Sequence, residues 1–217
     1  MLKQVEAEKS QISIIIPTYN ESENIINILH SIREIIPRNI SSQTIVVDDN
    51  SPDGTGKLVE DYLKNVKKIA DNTIEIIHRK AKNGLGSAIL NGIQQSKGDT
   101  IVVMDCDFSH PPQIIPKLIE SIKKYQYDIA VASRYIQGGK IQGWSLKRKL
   151  MSKFATLIAK KGLGVNTKDP MSGFFAFKRS IIKELNFDAI GYKILLEIIV
   201  KTKGVNIKEI PYTFQDR

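Results

Sequence analysis

Five short apolar runs constrain what this chain can fold into. "ISIIIP" (12–17), "TIVVDD" (44–49), "TIEIIH" (73–78), "TIVVMD" (100–105) and "YDIAVAS" (127–133) are rich in β-branched residues. Between them lie segments with helical spacing: 21–36, 54–70, 85–97 and 111–125. In the first of these, Ile25, Ile28, Leu29, Ile32 and Ile36 share one stripe. Short apolar strands alternating with helices predict an α/β fold, a mostly parallel sheet flanked by helices. Ligands of such sheets gather at the carboxyl ends of the strands. The polar clusters fall there: "PTYNE", "DDNSPDGT", "RKAKNGLG" and "DCDFSH" follow the first four runs in order.

After residue 135 the pattern changes. "YIQGGKIQGW" (135–144) reads as a flexible glycine-rich connection. Residues 144–161 form a helix candidate with Leu150, Phe154, Leu157 and Ile158 on one face, six basic residues and no acidic one. Segment 172–178 reads as a strand, 191–202 as a helix and 206–214 as extended. With no linker or repeat in view, residues 1–217 read as one domain, with a nucleotide and metal part at 12–135 and an acceptor-side part at 136–217.

Charge follows the same division. Residues 1–139 carry 16 Lys+Arg against 17 Asp+Glu, a net of −1; residues 140–217 carry 16 against 6, a net of +10. Such a surface attracts an anionic membrane, a phosphorylated substrate or a polyanion. No aromatic stacking motif accompanies the charge, so nucleic acid is not expected. The single cysteine, Cys106, excludes an internal disulfide and fits a reducing setting. Residues 1–11 are polar, and no apolar run approaches the roughly 18–20 residues of a membrane span. No leader and no transmembrane segment are therefore expected.

Asp105 and Asp107 are the first chemical candidates. Two carboxylates at i and i+2 past a strand can turn toward one cation, and Mg²⁺ or Mn²⁺ take such oxygen ligands and share them with substrate phosphates. A bare pair with this spacing is also an ordinary polar strand end. Cys106 between them is expected to face the core, and His110 to start the helix after Pro111. Asp48 could accept hydrogen bonds from a base, while Asp53 or Ser51 would cap the next helix. Tyr19 offers a ring for a base or ribose and Glu21 an acceptor, with Asn20 as the N-cap alternative. "KNGLGSA" lacks the Lys-Ser/Thr pair of a phosphate-binding P-loop and the full dinucleotide glycine spacing, so neither motif is assigned. Arg134 follows the fifth strand. Arg148 and Ser152 stand four apart on the basic helix, and Lys193 and Arg217 are further cations.

Taken together, "SIIIPTYNE", "VVDDNSPDGT", "GLGSA", "MDCDFSHPP", "ASRY", "WSLKRKLMSKFA", "DPMSGFFAFKR", "GYKILLEI" and "EIPYTFQDR" carry a resemblance. Over about residues 12–217 the chain resembles the catalytic domain of the dolichol-phosphate mannosyltransferases, within the inverting glycosyltransferase family 2 and its Rossmann-like GT-A fold. The resemblance implies that Pro17, Tyr19, Glu21 and Asp48 line the nucleotide pocket. Asp105 and Asp107 would hold the metal under the diphosphate, with Ser109 as a third oxygen and Cys106 in the donor-side set. Arg134, Arg148 and Ser152 would receive the lipid phosphate, and Lys193 and Arg217 would lie near the substrate phosphates. Asp107, Arg134 and Arg148 would carry the catalysis. The implied reaction moves mannose from GDP-mannose to a dolichyl or other polyprenyl phosphate with inversion, using Mg²⁺ or Mn²⁺. A UDP-glucose-dependent polyprenyl-phosphate glucosyltransferase is the nearest alternative, and a non-catalytic nucleotide-sugar-binding subunit a more distant one. The resemblance also implies a peripheral position on the cytoplasmic side of a membrane and leaves room for a membrane-anchoring subunit. The basic helix either lies on an anionic membrane or packs on the sheet with its lysines in water.

Overall fold

The computed structural model describes residues 11–37, 39–66, 71–187, 193–202 and 204–216, and all five apolar runs form strands in it. They are β1 (Gln11–Thr18), β2 (Ser41–Asp48), β3 (Asn72–His78), β4 (Thr100–Val103) and β5 (Ile129–Ser133). The helices between them are α1 (Ile25–Ile35), α2 (Thr55–Asn65), α3 (Leu85–Gln95) and α4 (Ile115–Lys123). The last third adds β6 (Lys140–Gln142), α5 (Leu146–Leu163), β7 (Phe175–Lys178), α6 (Ile194–Lys201), β8 (Ile207–Pro211) and β9 (Thr213–Gln215).

Seven strands make one sheet in the order β3-β2-β1-β4-β7-β5-β8. Strand β1 pairs in parallel with β2 and β4, β2 with β3, and β5 with β8. Strand β7 enters between β4 and β5 and runs antiparallel to both. The last third of the chain therefore supplies a central strand to the same sheet. The small β6–β9 sheet is parallel and braces the glycine-rich connection.

Alternation along β1 divides the core. Ile14 and Ile16 face Ile28 and Leu29 of α1 and Leu118 and Ile122 of α4, while Ile15 faces Ile89 and Ile93 of α3 and Ile198 of α6. Both faces of the sheet are thus dry, which is why the strands read as unbroken apolar runs. The register Thr18↔Asp48 and Ile15↔Val103 brings the carboxyl ends of β1, β2 and β4 to one edge.

Two helix starts differ from their sequence pattern, each for a local reason. Helix α1 begins at Ile25 and not at residue 21, because the preceding turn is bound elsewhere. The amides of Asn20, Glu21 and Ser22 donate to Ser51 Oγ, Thr55 Oγ1 and Asp53 Oδ2. Asn20 takes a left-handed conformation (φ 57°), so it is not the helix cap. After Pro111, a 3-10 turn at Pro112–Ile114 precedes α4, since proline restrains the residue before it.

Candidate active site

Two clefts meet at the carboxyl edge of the sheet. The first, of about 650 Å³, is lined by Pro17, Tyr19, Glu21, Asp49, Lys82, Asp105, Cys106 and Asp107, among others. Glu21 is buried, and Asn24 Nδ2 donates to its Oε2 at 3.0 Å. The Lys82 ammonium lies 3.6 Å from the centroid of the Tyr19 ring and so covers the aromatic face on this side.

Asp48 is buried and does not line this cleft. Its Oδ1 accepts from the Ser51 hydroxyl and its Oδ2 from the Ser51 amide at 3.2 Å, which fixes the turn after β2. Asp49 lines the cleft in its place. Its Oδ1 accepts from Arg79 Nη1 at 2.7 Å, and its Oδ2 accepts from the amides of Asn83 and Gly84, each at 3.1 Å. The carboxylate thereby ties the glycine loop to β2, with Gly84 at a φ of 91°. Asp53 bridges two segments, accepting from the amides of Ser22 and Thr55 and from the Thr55 hydroxyl. Burial pushes its carboxyl up, but these bonds outweigh that and bring it down to about 2. The motif gave no way to choose between neighbouring Asp48 and Asp49, because which carboxylate faces the cleft depends on the turn that follows.

Asp105 borders both clefts, and its side chain is 40% exposed. Its backbone amide donates to His110 Nδ1 at 2.9 Å. That imidazole is buried and stacks on Phe174, 5.2 Å between centroids. Burial pushes the His110 pKa down, against the pull of Asp105 and Asp107. His110 is thus a positioning group beneath Asp105 and more than a helix starter. A Cβ on Gly173 would stand 3.1 Å from His110 Cε1 and 3.4 Å from Asp105 Oδ2, so glycine keeps this corner open. Asp107 Oδ1 accepts from the Ser109 amide at 3.1 Å and from its hydroxyl, so Ser109 orients the carboxylate. Cys106 is buried, as its place between the two aspartates suggested.

These donors suit a hard divalent cation. Asp105 and Asp107 supply carboxylate oxygens at the cleft, while no cluster of three or more His, Cys, Asp or Glu groups occurs among the described residues. A cation with only two protein carboxylates completes its shell with water and substrate phosphate, the usual habit of Mg²⁺ and of oxygen-bound Mn²⁺.

The second cleft, of about 640 Å³, gathers Asp105, Arg134, Trp144, Arg148, Ser152 and Lys193. Arg134 is nearly buried, and Asp169, fully buried, holds its Nε and Nη2 at 2.8 and 2.7 Å. Burial alone would lower the Arg134 pKa, but the Asp169 hydrogen bonds and charge raise it. Arg148 Nη1 donates to both oxygens of Asp216 at 2.7 and 2.8 Å. Trp144 lies beside both guanidinium groups, 4.4 Å from Arg148 and 5.3 Å from Arg134 to the ring centroid. Ser152 Oγ accepts from Tyr135 Oη at 2.7 Å. Desolvation, then the Arg134 charge, push the Lys193 ammonium down. Arg217 lies outside the described residues. Asp169 and Asp216 fall within the quoted "DPMSGFFAFKR" and "EIPYTFQDR" but were given no role there, because nothing local shows which arginine each will reach.

Known proteins match this chain over most of its length. Residues 13–186 match the model of the family described as Glycosyl transferase family 2. A dolichol-phosphate mannosyltransferase of Pyrococcus furiosus is 40% identical over 206 residues, covering 94% of this chain and 56% of that protein. The chain thus spans little more than half the length of that relative. An undecaprenyl-phosphate mannosyltransferase of Micrococcus luteus is 34% identical over 211 residues, covering 94% of this chain and 83% of that protein. Among solved structures, a mannosyltransferase from Pyrobaculum calidifontis in complex with GDP-Man and Mn²⁺ superposes with a TM-score of 0.68 at 17% identity, covering 97% of this chain and 57% of the other. Glucosyl-3-phosphoglycerate synthase of Mycobacterium tuberculosis, in complex with Mn²⁺, UDP-Glc and phosphoglyceric acid, gives 0.68 at 19% identity, covering 95% and 70%. At these identities the likeness speaks for the fold, which is the GT-A fold expected from the motifs. The chain belongs to glycosyl transferase family 2.

Proposed function

We propose that this protein transfers mannose from GDP-mannose to the phosphate of a polyprenol such as dolichol, inverting the anomeric carbon. The observation that carries the reading is the meeting of two clefts at Asp105. One holds an aromatic ring and carboxylates suited to a nucleotide, and the other holds paired arginines suited to a phosphate. The activities of the Pyrococcus and Micrococcus relatives support the same donor sugar and acceptor class.

Mannose bound between the clefts exposes its anomeric carbon to the arginine side. A phosphate oxygen of the acceptor forms the new bond to that carbon as the bond to GDP breaks. The acceptor oxygen is already anionic near neutral pH, so no general base is required. Arg134 and Arg148 hold the acceptor phosphate in line, and Lys193 adds positive charge beside it. Asp216 gives up its grip on Arg148 when the phosphate arrives. Asp105 and Asp107 would hold the Mg²⁺ or Mn²⁺, whose chemistry is to neutralise charge on the diphosphate leaving group. A nucleotide sugar and a lipid phosphate meet at a membrane face, so the protein works peripherally there, on the cytoplasmic side. Among the described residues no helix is long and apolar enough to cross a membrane.

The test is transfer of label from GDP-mannose or UDP-glucose to phytanyl phosphate with Mn²⁺ or Mg²⁺. Label from GDP-mannose supports the reading; label from UDP-glucose alone replaces the donor. Asp107→Ala should lower turnover by about 10²–10³-fold. Near-normal metal-dependent turnover in that variant would remove the metal assignment.

A further inference from the structure

Trp144 stands between the two arginines of the second cleft, and its own bonding does not explain why. The small β6–β9 sheet delivers it there. Strand β6 ends at Gln142, whose carbonyl accepts from the Asp216 amide at 3.0 Å, so Trp144 and the end of β9 reach the cleft together. The indole packs edge-to-face on Phe214 of β9, 5.3 Å between centroids, and both rings line the cleft. Its Nε1 is buried and has no hydrogen-bond partner among the described residues. A buried tryptophan ordinarily pairs that donor, and leaving it unpaired is unfavourable. What the ring does have is two cations. Its centroid lies 4.4 Å from Arg148 Cζ and 5.3 Å from Arg134 Cζ. Asp169 holds Arg134 from one side and Asp216 holds Arg148 from another, while the indole adjoins both guanidinium groups.

We propose that Trp144 is a positioning residue of the second cleft, its ring holding Arg134 and Arg148 where both can donate to one phosphate. The proposal rests on the reading that this cleft receives the acceptor phosphate. Two guanidinium charges at one cleft repel each other while it is empty. The negative face of the indole attracts each of them and offsets that repulsion, so the pair is set before the phosphate arrives. The unpaired N–H follows from the same placement: the ring sits where the cations need it, not where its own donor finds a partner. Function and stability therefore respond differently to the loss of each part of the side chain.

The experiment titrates geranyl phosphate, a soluble short-chain prenyl phosphate, into the purified chain by calorimetry. Trp144→Leu removes the ring, and affinity should fall by at least about tenfold. Trp144→Phe keeps a weaker aromatic face and removes the unpaired N–H. Its affinity should fall by about threefold, while Tm stays within about 2 °C of wild type. Affinity for GDP with Mn²⁺ should stay within about twofold in both variants, since Trp144 does not line the first cleft. Trp144 is the only tryptophan of the chain, so in wild type its emission should change saturably with the calorimetric midpoint. Wild-type affinity for geranyl phosphate in Trp144→Leu overturns the proposal, as does an emission that ignores the bound phosphate. A lowered Tm in Trp144→Phe with equal losses on both substrates makes the indole a packing group and also overturns it. If Trp144→Leu does not fold, Trp144→Phe and the wild-type emission decide alone. Mannosyl transfer to phytanyl phosphate with unchanged binding in the variants removes only the role of Trp144. Binding that depends on Trp144, without any mannosyl transfer, removes only the proposed activity.

Discussion

Asp169 grips the Nε and Nη2 edge of Arg134, and Arg134 in turn borders the second cleft. The pair is almost wholly buried, so neither charge can be moved out to water cheaply. Asp169→Asn keeps the shape and removes the countercharge, a loss worth roughly 3–5 kcal/mol for a buried pair. The acceptor KM should rise by at least about tenfold, while GDP affinity, measured by titration calorimetry, stays within about twofold. Equal losses on both sides would mean that Asp169 only supports the fold. Arg134 itself was visible as a basic residue just past a strand. Its partner was not, because Asp169 lies 35 positions away and no local pattern reports which acid will reach which base.

The turn between α3 and β4 shows how tightly neighbouring elements are bound. The amide of Gly98 donates to Ser13 Oγ at 2.9 Å, and a Cβ on Gly98 would lie 2.5 Å from the Ile12 carbonyl carbon and the Ser13 amide nitrogen. The obstacle is backbone in a central strand, so rotamer adjustment cannot relieve it. Gly98→Ala should cost about 1–3 kcal/mol and lower Tm by roughly 2–12 °C without changing the substrates used. An unchanged Tm would mean that β1 and the turn separate freely. Strands β1 to β5 and the helices between them were legible, since each announces itself within its own residues through period and composition. The antiparallel entry of β7 was not, because "SGFFAFK" looks apolar whichever way it runs. The orientation of α5 was equally hidden: its apolar face could be read, but not that small residues would face inward and large ones outward.

The clefts themselves belong to the assembled molecule, since Asp105 borders both while the other walls come from β1, the turn after β2, α3, α5, and Lys193 with the start of α6. With two carboxylates, Asp105 and Asp107, at the proposed metal position among the described residues, nucleotide and metal should bind together better than either alone. Mn²⁺ with GDP at about 100 times Kd should stabilise the protein by about 2.7 kcal/mol, raising Tm by about 5–10 °C. Mn²⁺ alone should raise it by no more than about 1–2 °C, and Asp105→Asn should abolish the joint effect. A full shift with Mn²⁺ alone would point to a complete protein cage in place of a shared site.

The order of residues alone established an α/β chain with its chemistry at strand ends, because periodicity and terminal polar clusters are properties of neighbouring residues. The aspartate pair, the basic last third and the motifs of the family were legible for the same reason. Folding alone decided that Asp49 and not Asp48 lines the first cleft, that Asp169 and Asp216 hold the two arginines, and that α5 turns its large side chains outward. Each of those outcomes depends on contacts between residues far apart in the chain, whose pairing is set by packing and by which buried charges find a partner.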